Sequence, residues 1–253
     1  MNIEVSIITS MYKGNDHIDG FLKNMTSQTY FDKCELIIID GNSPGNEKII
    51  IDKYMKKYDN IIYHRLESDP GIYGCWNKGI EISSGEYITN ANLDDRRSND
   101  QIELFVKEMN KNPEINLVYS YCFVTNRDHE DFYNNSSNNG VYPIMPFSPE
   151  NMIKCLPGCM PVWRRSMHDG IGLFDESYKY SGDWEMWLRA VRNGSKFKMI
   201  DSACGLYYMS PVGLSTSPEN NKERFLEEKK VFWEYTDVFG EKVTNQYGGY
   251  FSR

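Results

Sequence analysis

The sequence predicts an α/β fold, with a mostly parallel central sheet flanked by helices. Two observations carry this. Short β-branched runs alternate with helical repeats through the first hundred residues. Each apolar run also ends on polar residues, as strands do when their carboxyl ends form a ligand rim. The expected strands are IEVSIIT, ELIIID, NIIYHRL and EYITNANL. Between them Ile18, Phe21, Leu22 and Met25 fall at i, i+3, i+4, i+7, and Ile51, Tyr54, Met55 and Tyr58 repeat that spacing. A third stripe runs through Ile72, Cys75, Trp76 and Gly79. Strand–helix–strand alternation implies right-handed crossovers and helices on both faces. The rim residues are Thr9-Ser10, Asp40, Glu67-Ser68-Asp69 and Asp94-Asp95.

In the second half, SNDQIELFVKEMNKNP predicts a helix, with Ser98 and Gln101 spaced as a capping box and Pro113 closing it. NLVYSYCFV predicts a strand. Residues 126–149 are Asn/Ser-rich and then Pro-rich, which predicts a mobile loop that shapes the acceptor side of a site. A strong helix is expected from Asp183 to about Asn193, with Trp184, Trp187, Leu188 and Val191 on one face and Gly194 as its stop. The stretch Asn221 to Gly240 is amphipathic, with nearly balanced charge. It is expected to pack on the body or on a second copy rather than enter lipid.

Composition bounds the function. The 40% hydrophobic content of 253 residues can bury a sizeable core. A net charge of -8 argues against broad nucleic-acid binding, which needs many Lys and Arg to neutralise phosphates. No signal peptide is visible and no apolar run approaches the roughly 18 residues of a membrane span. A cytoplasmic protein is expected, with peripheral membrane contact allowed. The six cysteines are scattered and read as reduced thiols. Sequons at Asn24, Asn134, Asn135 and Asn193 read as chance.

Candidate site residues follow from the rim. Asp94 and Asp95 are adjacent carboxylates where a strand turns, suited to a hard divalent ion that fills its shell with phosphate oxygens and water; solvated surface charge is the bland alternative. Asp40 can accept from a pyrimidine N3–H, with Tyr12 stacking on the base; the alternative is a cap for the following helix. In SDPGIYGCWNKGIEISSGEY, Pro70-Gly71 turns the chain into a short helix presenting Trp76, Asn77 and Lys78. Helix amides and a lysine suit a pyrophosphate, but as pattern alone this is a weak anion site and a solvated lysine is the first reading of Lys78. Arg96 and Arg97 are expected to diverge, one pairing with an acid and the other facing solvent or an acceptor.

VSIITSMYKG, LIIIDGNSPGN, DPGIYGCWNKGI, GEYITNANLDD and GLFDESYKYSGDWEMWLR, in this order, resemble the family 2 glycosyltransferases of GT-A fold over about residues 3 to 215. The resemblance implies one GT-A domain. Residues 1–98 would bind the nucleotide sugar, 99–215 the acceptor and base, and 216–253 would form a helical tail. It implies transfer from a nucleoside-diphosphate sugar, UDP by default, to a hydroxyl of a glycan or lipid-linked acceptor, with inversion and with Mn2+ or Mg2+. Carried over by position, Asp40 belongs to the donor base, Asp94 to the ribose or phosphate, Asp95 to the metal and Asp183 to the catalytic base; Thr9 and Ser10, on the same rim, are expected beside the nucleotide.

Asp183 stands in the first helical turn, where negative charge is favoured and ionisation at neutral pH is expected. Trp184 can stack on a sugar and Arg96 can meet the acceptor, while Glu185 and Arg189 read as a surface i,i+4 pair. The chain departs from the family pattern at Ser10-Met11-Tyr12-Lys13, at Gly41, and at Gly182, where an acidic residue often precedes the base. In YYMSPVGLS no histidine or arginine stands where some members place one near the metal. The alternative class is a catalytically silent sugar-nucleotide-binding or scaffold protein of the same fold. Self-association remains open. An NAD enzyme is poorly supported, because ITSMYKG follows the first strand in place of Gly-x-Gly-x-x-Gly.

Overall fold

A computed structural model describes residues 2–137, 139–142 and 145–252. The expected alternation forms as β1 (Val5–Met11), α1 (Ile18–Thr26), β2 (Cys34–Asp40), α2 (Glu47–Met55), β3 (Ile61–Arg65), α3 (Gly71–Ile82) and β4 (Tyr87–Asn90). Then follow β5 (Arg96–Arg97), α4 (Gln101–Lys111), β6 (Leu117–Thr125), β7 (Val141–Tyr142), β8 (Val162–Arg164) and α5 (Met167–Ile171). The chain continues with α6 (Gly182–Arg192), β9 (Phe197–Tyr208), α7 (Asn221–Glu234) and α8 (Thr236–Phe251).

Among the described residues the strands form one sheet in the order β3-β2-β1-β4-β8-β6-β9-β5, with β7 added beside β6. β1 pairs in parallel with β2 and β4, and β2 with β3. β8 is the antiparallel element that joins this half to β6 and, through β6, to the parallel β9. Every residue of β2 is buried, as its unbroken apolar run requires of a strand covered on both faces. Strand period sorts the core. Val5, Ile7 and Val118 face α1, α2 and α4, whereas Ile8, Ile88, Leu117 and Tyr119 face the layer of α3 and α6. The four buried residues of α1, Ile18, Phe21, Leu22 and Met25, contribute roughly 1.5–3 kcal/mol each, enough to hold a nine-residue helix without a side-chain cap. Gly79 completes the α3 stripe because a Cβ there would stand 2.3 Å from Ile8 Cγ2.

Several expectations are corrected. The fourth strand stops at Asn90, and residues 91–95 turn away before β5, so the paired acids lie in a turn rather than on a strand end. The capping box does not form. α4 starts at Gln101, whose side chain accepts from Arg97, and the Ser98 hydroxyl has no hydrogen-bond partner. Glu185 and Arg189 are not a surface pair. Glu185 is buried, takes two hydrogen bonds from the Arg189 guanidinium and accepts from Tyr235 Oη. Of residues 126–149, positions 138, 143 and 144 lie outside the described residues; the rest is turns and bends except Val141–Tyr142, which pairs with β6. The stretch from Asn221 packs on the body as expected. Phe232 of α7 stacks on Phe251 of α8 at 4.3 Å and on Phe239 at 5.7 Å, and Gly240 (φ 78°) breaks α8 so that both rings reach it.

Candidate active site

A cleft of about 1260 Å³ opens beyond the carboxyl ends of β1 and β4. Its walls include Ser10 at the end of β1, Tyr12 just after it, Gly71 at the start of α3, Asp94 from the turn after β4, and Asp183 on α6. The segment from Tyr207 to Thr216 closes another side. The topology therefore brings Asp94 and Asp183, 89 residues apart in sequence, to a single cavity.

Asp183 is held by three donors. Oδ1 accepts the Trp184 N–H at 2.8 Å and the Tyr73 hydroxyl at 3.2 Å, and Oδ2 lies 3.6 Å from the Cys155 thiol. Burial pushes its pKa above the ordinary carboxylate range, with those hydrogen bonds opposing the rise. The helix-terminus argument for easy ionisation is thus outweighed by desolvation. Gly182 has a local reason as well. A Cβ there would meet the Tyr73 ring at 2.7 Å, so the acidic residue common at this position is replaced by the space that the tyrosine needs.

The acidic pair divides its roles differently from the sequence expectation. Asp94 lines the cleft, while Asp95 is 3% exposed. Asp95 Oδ1 accepts the Tyr208 N–H at 3.0 Å and Oδ2 accepts from Asn92 at 2.9 Å. Asp95 thus anchors the turn, while Asp94 is the member of the pair that lines the cleft. Burial raises the pKa of both, and for Asp95 the charge of Asp94 adds to it.

Both arginines are also corrected. Neither is solvent-facing or paired with an acid: Arg96 is 5% and Arg97 1% exposed. Arg96 Nη1 donates to the carbonyls of Leu93 (2.9 Å) and Asp95 (2.7 Å). Arg97 donates to Gln101 Oε1 at 2.6 Å and to the Asn90 carbonyl. Two guanidinium groups thus brace the main chain behind the acidic turn, and Arg96 does not line the cleft as an acceptor contact. Gly20 leaves room for it, since a Cβ there would lie 2.7 Å from Arg96 Nη2. Asn24 exchanges two hydrogen bonds with the Arg97 main chain, which gives this sequon asparagine a structural use.

The remaining expected residues separate. Ser10 and the half-exposed Tyr12 line the cleft. Thr9 is fully buried in β1. Asp40 is 1% exposed and accepts from Ser43 N–H, Tyr63 Oη and Arg65 Nη1. Asn77 is buried against α6's approach, bonding Phe174 N and O and Glu176, and Lys78 pairs with Glu81 at 3.2 Å outside the cleft. Neither lines the cleft, because this part of α3 faces the core and solvent. Trp184 touches the cleft, but its ring is 6% exposed, stacks near Phe239 and donates to the Met152 carbonyl.

Sequence reasoning missed Tyr73, Cys155 and the cations Lys13, Lys154 and Arg224 along the cleft. Tyr73 lay inside a quoted motif and its spacing from Trp76 was a visible signal. Lys13, Lys154 and Cys155 come from loops and Arg224 from α7, and only the tertiary fold decides their approach to the cleft.

An α/β sheet of this topology with a rim cleft bearing these acids defines a GT-A glycosyltransferase fold. The chain belongs to glycosyl transferase family 2, whose model matches residues 6–172. It is 26% identical over 203 residues to "Uncharacterized glycosyltransferase RT0329" of Rickettsia typhi, covering 76% of this chain and 60% of that protein. It is 28% identical over 218 residues to the minor teichoic acid biosynthesis protein GgaB of Bacillus subtilis, covering 85% of this chain and 24% of GgaB. The chain thus spans well under the full length of both. S. aureus TarS 1-349 in complex with UDP-GlcNAc superposes with a TM-score of 0.75 at 15% identity, over 97% of this chain and 73% of that one. Among the described residues no helix is long and apolar enough to cross a membrane.

Proposed function

We propose that this chain is an inverting, divalent-metal-dependent glycosyltransferase that moves a sugar from a nucleoside-diphosphate donor, UDP-sugar first, to a hydroxyl of a glycan or lipid-linked acceptor. The observation that carries this reading is the meeting of Asp94 and Asp183 in one cleft with an aromatic rim. TarS is crystallised with UDP and with UDP-GlcNAc, and a Pyrobaculum calidifontis mannosyltransferase of similar fold with GDP-Man and Mn2+. Both support the donor class.

The donor set fits a hard cation. Asp94 is a cleft-facing carboxylate whose pKa is raised, as expected of an acid held in a buried setting beside a second acid. Mn2+ or Mg2+ at Asp94 would take up the charge of the leaving diphosphate. Asp183 accepts the proton of the acceptor hydroxyl as it attacks. Its raised pKa matches it to that task, and the Tyr73 hydroxyl and Trp184 N–H fix its orientation. With Asp183 acting as base on the acceptor hydroxyl, a single direct displacement inverts the anomeric carbon. Tyr12 offers a stacking face to the base, and Asp40 shapes that end through Ser43 and Arg65.

A donor panel read by nucleoside diphosphate release, with and without Mn2+, tests the proposal. Release from a UDP-sugar that requires metal and is lost in Asp183→Asn supports it. Nucleotide binding with no turnover of any donor or acceptor would identify a silent binding protein of the same fold.

A further inference from the structure

A cluster beside the cleft has no part in the chemistry above. His17, just before α1, stands against Asp128 and His129, which follow β6. His17 Nε2 lies 2.9 Å from Asp128 Oδ1 and His129 Nε2 lies 3.6 Å from Asp128 Oδ2. The two imidazoles stack with centroids 5.1 Å apart and planes 25° apart. One ligand atom from each of the three residues falls within 4.8 Å of the others.

Two features set this apart from a chance ion pair. In tetrahedral coordination with bonds near 2.05 Å, neighbouring ligand atoms are about 3.3 Å apart. The Asp128 carboxylate lies between the rings, Oδ1 2.9 Å from His17 Nε2 and Oδ2 3.6 Å from His129 Nε2, so each imidazole stands at about that edge length from one of its oxygens. His129 also takes a left-handed backbone conformation, φ 61°, which costs a non-glycine residue roughly 1–2 kcal/mol. That turn lets the His129 N–H donate to Asp128 Oδ1 at 2.7 Å while its ring lies over His17.

We propose that His17, Asp128 and His129 form a binding site for a divalent transition-metal ion, zinc in chemistry, separate from the hard-cation position at Asp94. Two imidazoles and one carboxylate are a borderline-soft donor set that suits zinc better than Mg2+ or Mn2+. Three protein ligands leave one coordination position for water or a substrate atom. The ion ties the segment after β6 to the start of α1, residues 111 apart in sequence. His17 also lines the cleft and its ring centre stands 6.5 Å from that of Tyr208. The Tyr208 N–H in turn holds Asp95, so an ion here stiffens the wall beside the acidic turn.

The test uses the full chain stripped with chelator, titrated with ZnCl2 by calorimetry without nucleotide. Binding of one equivalent is expected, weakened at least about tenfold in His17→Ala and in His129→Ala, and unchanged in Asp94→Asn. Cobalt substitution gives an independent readout: visible bands of a four-coordinate ion in the wild type, lost in both histidine variants. Melting in chelator shows whether each variant is folded. The proposal is overturned if no stoichiometric zinc binds, if the histidine variants bind as the wild type does, or if Asp94→Asn abolishes binding, which would assign the ion to the donor site.

Discussion

The Tyr73 hydroxyl donates to Asp183 Oδ1 across 3.2 Å, joining the first turn of α3 to the first turn of α6. By the proposed division of the chain, α3 lies in the nucleotide-sugar segment and α6 in the acceptor segment. The contact therefore sets the position of the base relative to the donor side of the cleft. Burial keeps the Tyr73 phenol protonated far above neutral pH, so it remains a donor under all ordinary conditions.

The first prediction concerns acid–base behaviour. Asp183 must be ionised to take a proton, and its pKa lies above the ordinary carboxylate value, so transfer should fall as pH drops through that raised pKa. Tyr73→Phe deletes a hydrogen bond that lowers the pKa, and the acidic limb of the kcat/KM profile should move to higher pH. Asp183→Asn should reduce transfer by about 10²–10⁴-fold with donor binding kept. An unmoved acidic limb in Tyr73→Phe would remove the tyrosine from the pathway.

The acidic turn gives a second prediction. Asp94→Asn should abolish the Mn2+-dependent part of UDP binding, whereas Asp95→Asn should retain most of it. The Asn92 amide can turn to serve the new side chain, and the Tyr208 N–H keeps its acceptor. Calorimetry of UDP with Mn2+ and with chelator distinguishes the two. Loss confined to the Asp95 variant would restore that residue as the metal ligand.

Asp95 also predicts a stability profile. Its folded pKa is raised to about 8, so between about pH 4 and that value the folded state holds a proton that the unfolded chain releases. Stability from this group is therefore present at low pH and lost as pH rises through the window. In metal-free buffer the wild-type Tm should decline from pH 5 to pH 8 more steeply than that of Asp95→Asn. Parallel curves for the two proteins would show that the group does not titrate in this range.

A fourth prediction rests on Arg97. Arg97→Met keeps much of the side-chain volume but leaves the Asn90 carbonyl and Gln101 without their donor. A loss of about 2–4 kcal/mol in urea unfolding is expected, with Arg97→Lys intermediate. A surface arginine would change stability by less than about 0.5 kcal/mol.

The parallel half of the sheet was legible because buried strands and amphipathic helices write their periods directly. Ile37 and Ile38 alternate faces, and Ile18 to Met25 fill one helix stripe. The three-residue β8 and the two-residue β5 carry no period and were invisible. At the site, Asp94 and Asp183 were readable from motif order. Which of two adjacent carboxylates faces the cleft was not, because it depends on the Tyr208 amide from a strand more than a hundred residues later. The arginines misled for a related reason: charge predicts exposure, but guanidinium groups that find enough carbonyls are buried instead.

The stacked rings of Phe232 and Phe251 have a consequence for the order in which the molecule is made. Phe251 lines the cleft and packs on α7, which holds α6 through Tyr235 and Glu185. On a ribosome, β1 to β4 and their helices emerge first and have their local partners at hand. The wall carrying Asp183 gains its final support only when residue 251 leaves the exit tunnel. A nascent chain thus acquires its donor-side framework well before its base is fixed in place, and a truncation that removes α8 would leave the earlier half folded with the reacting half unsupported.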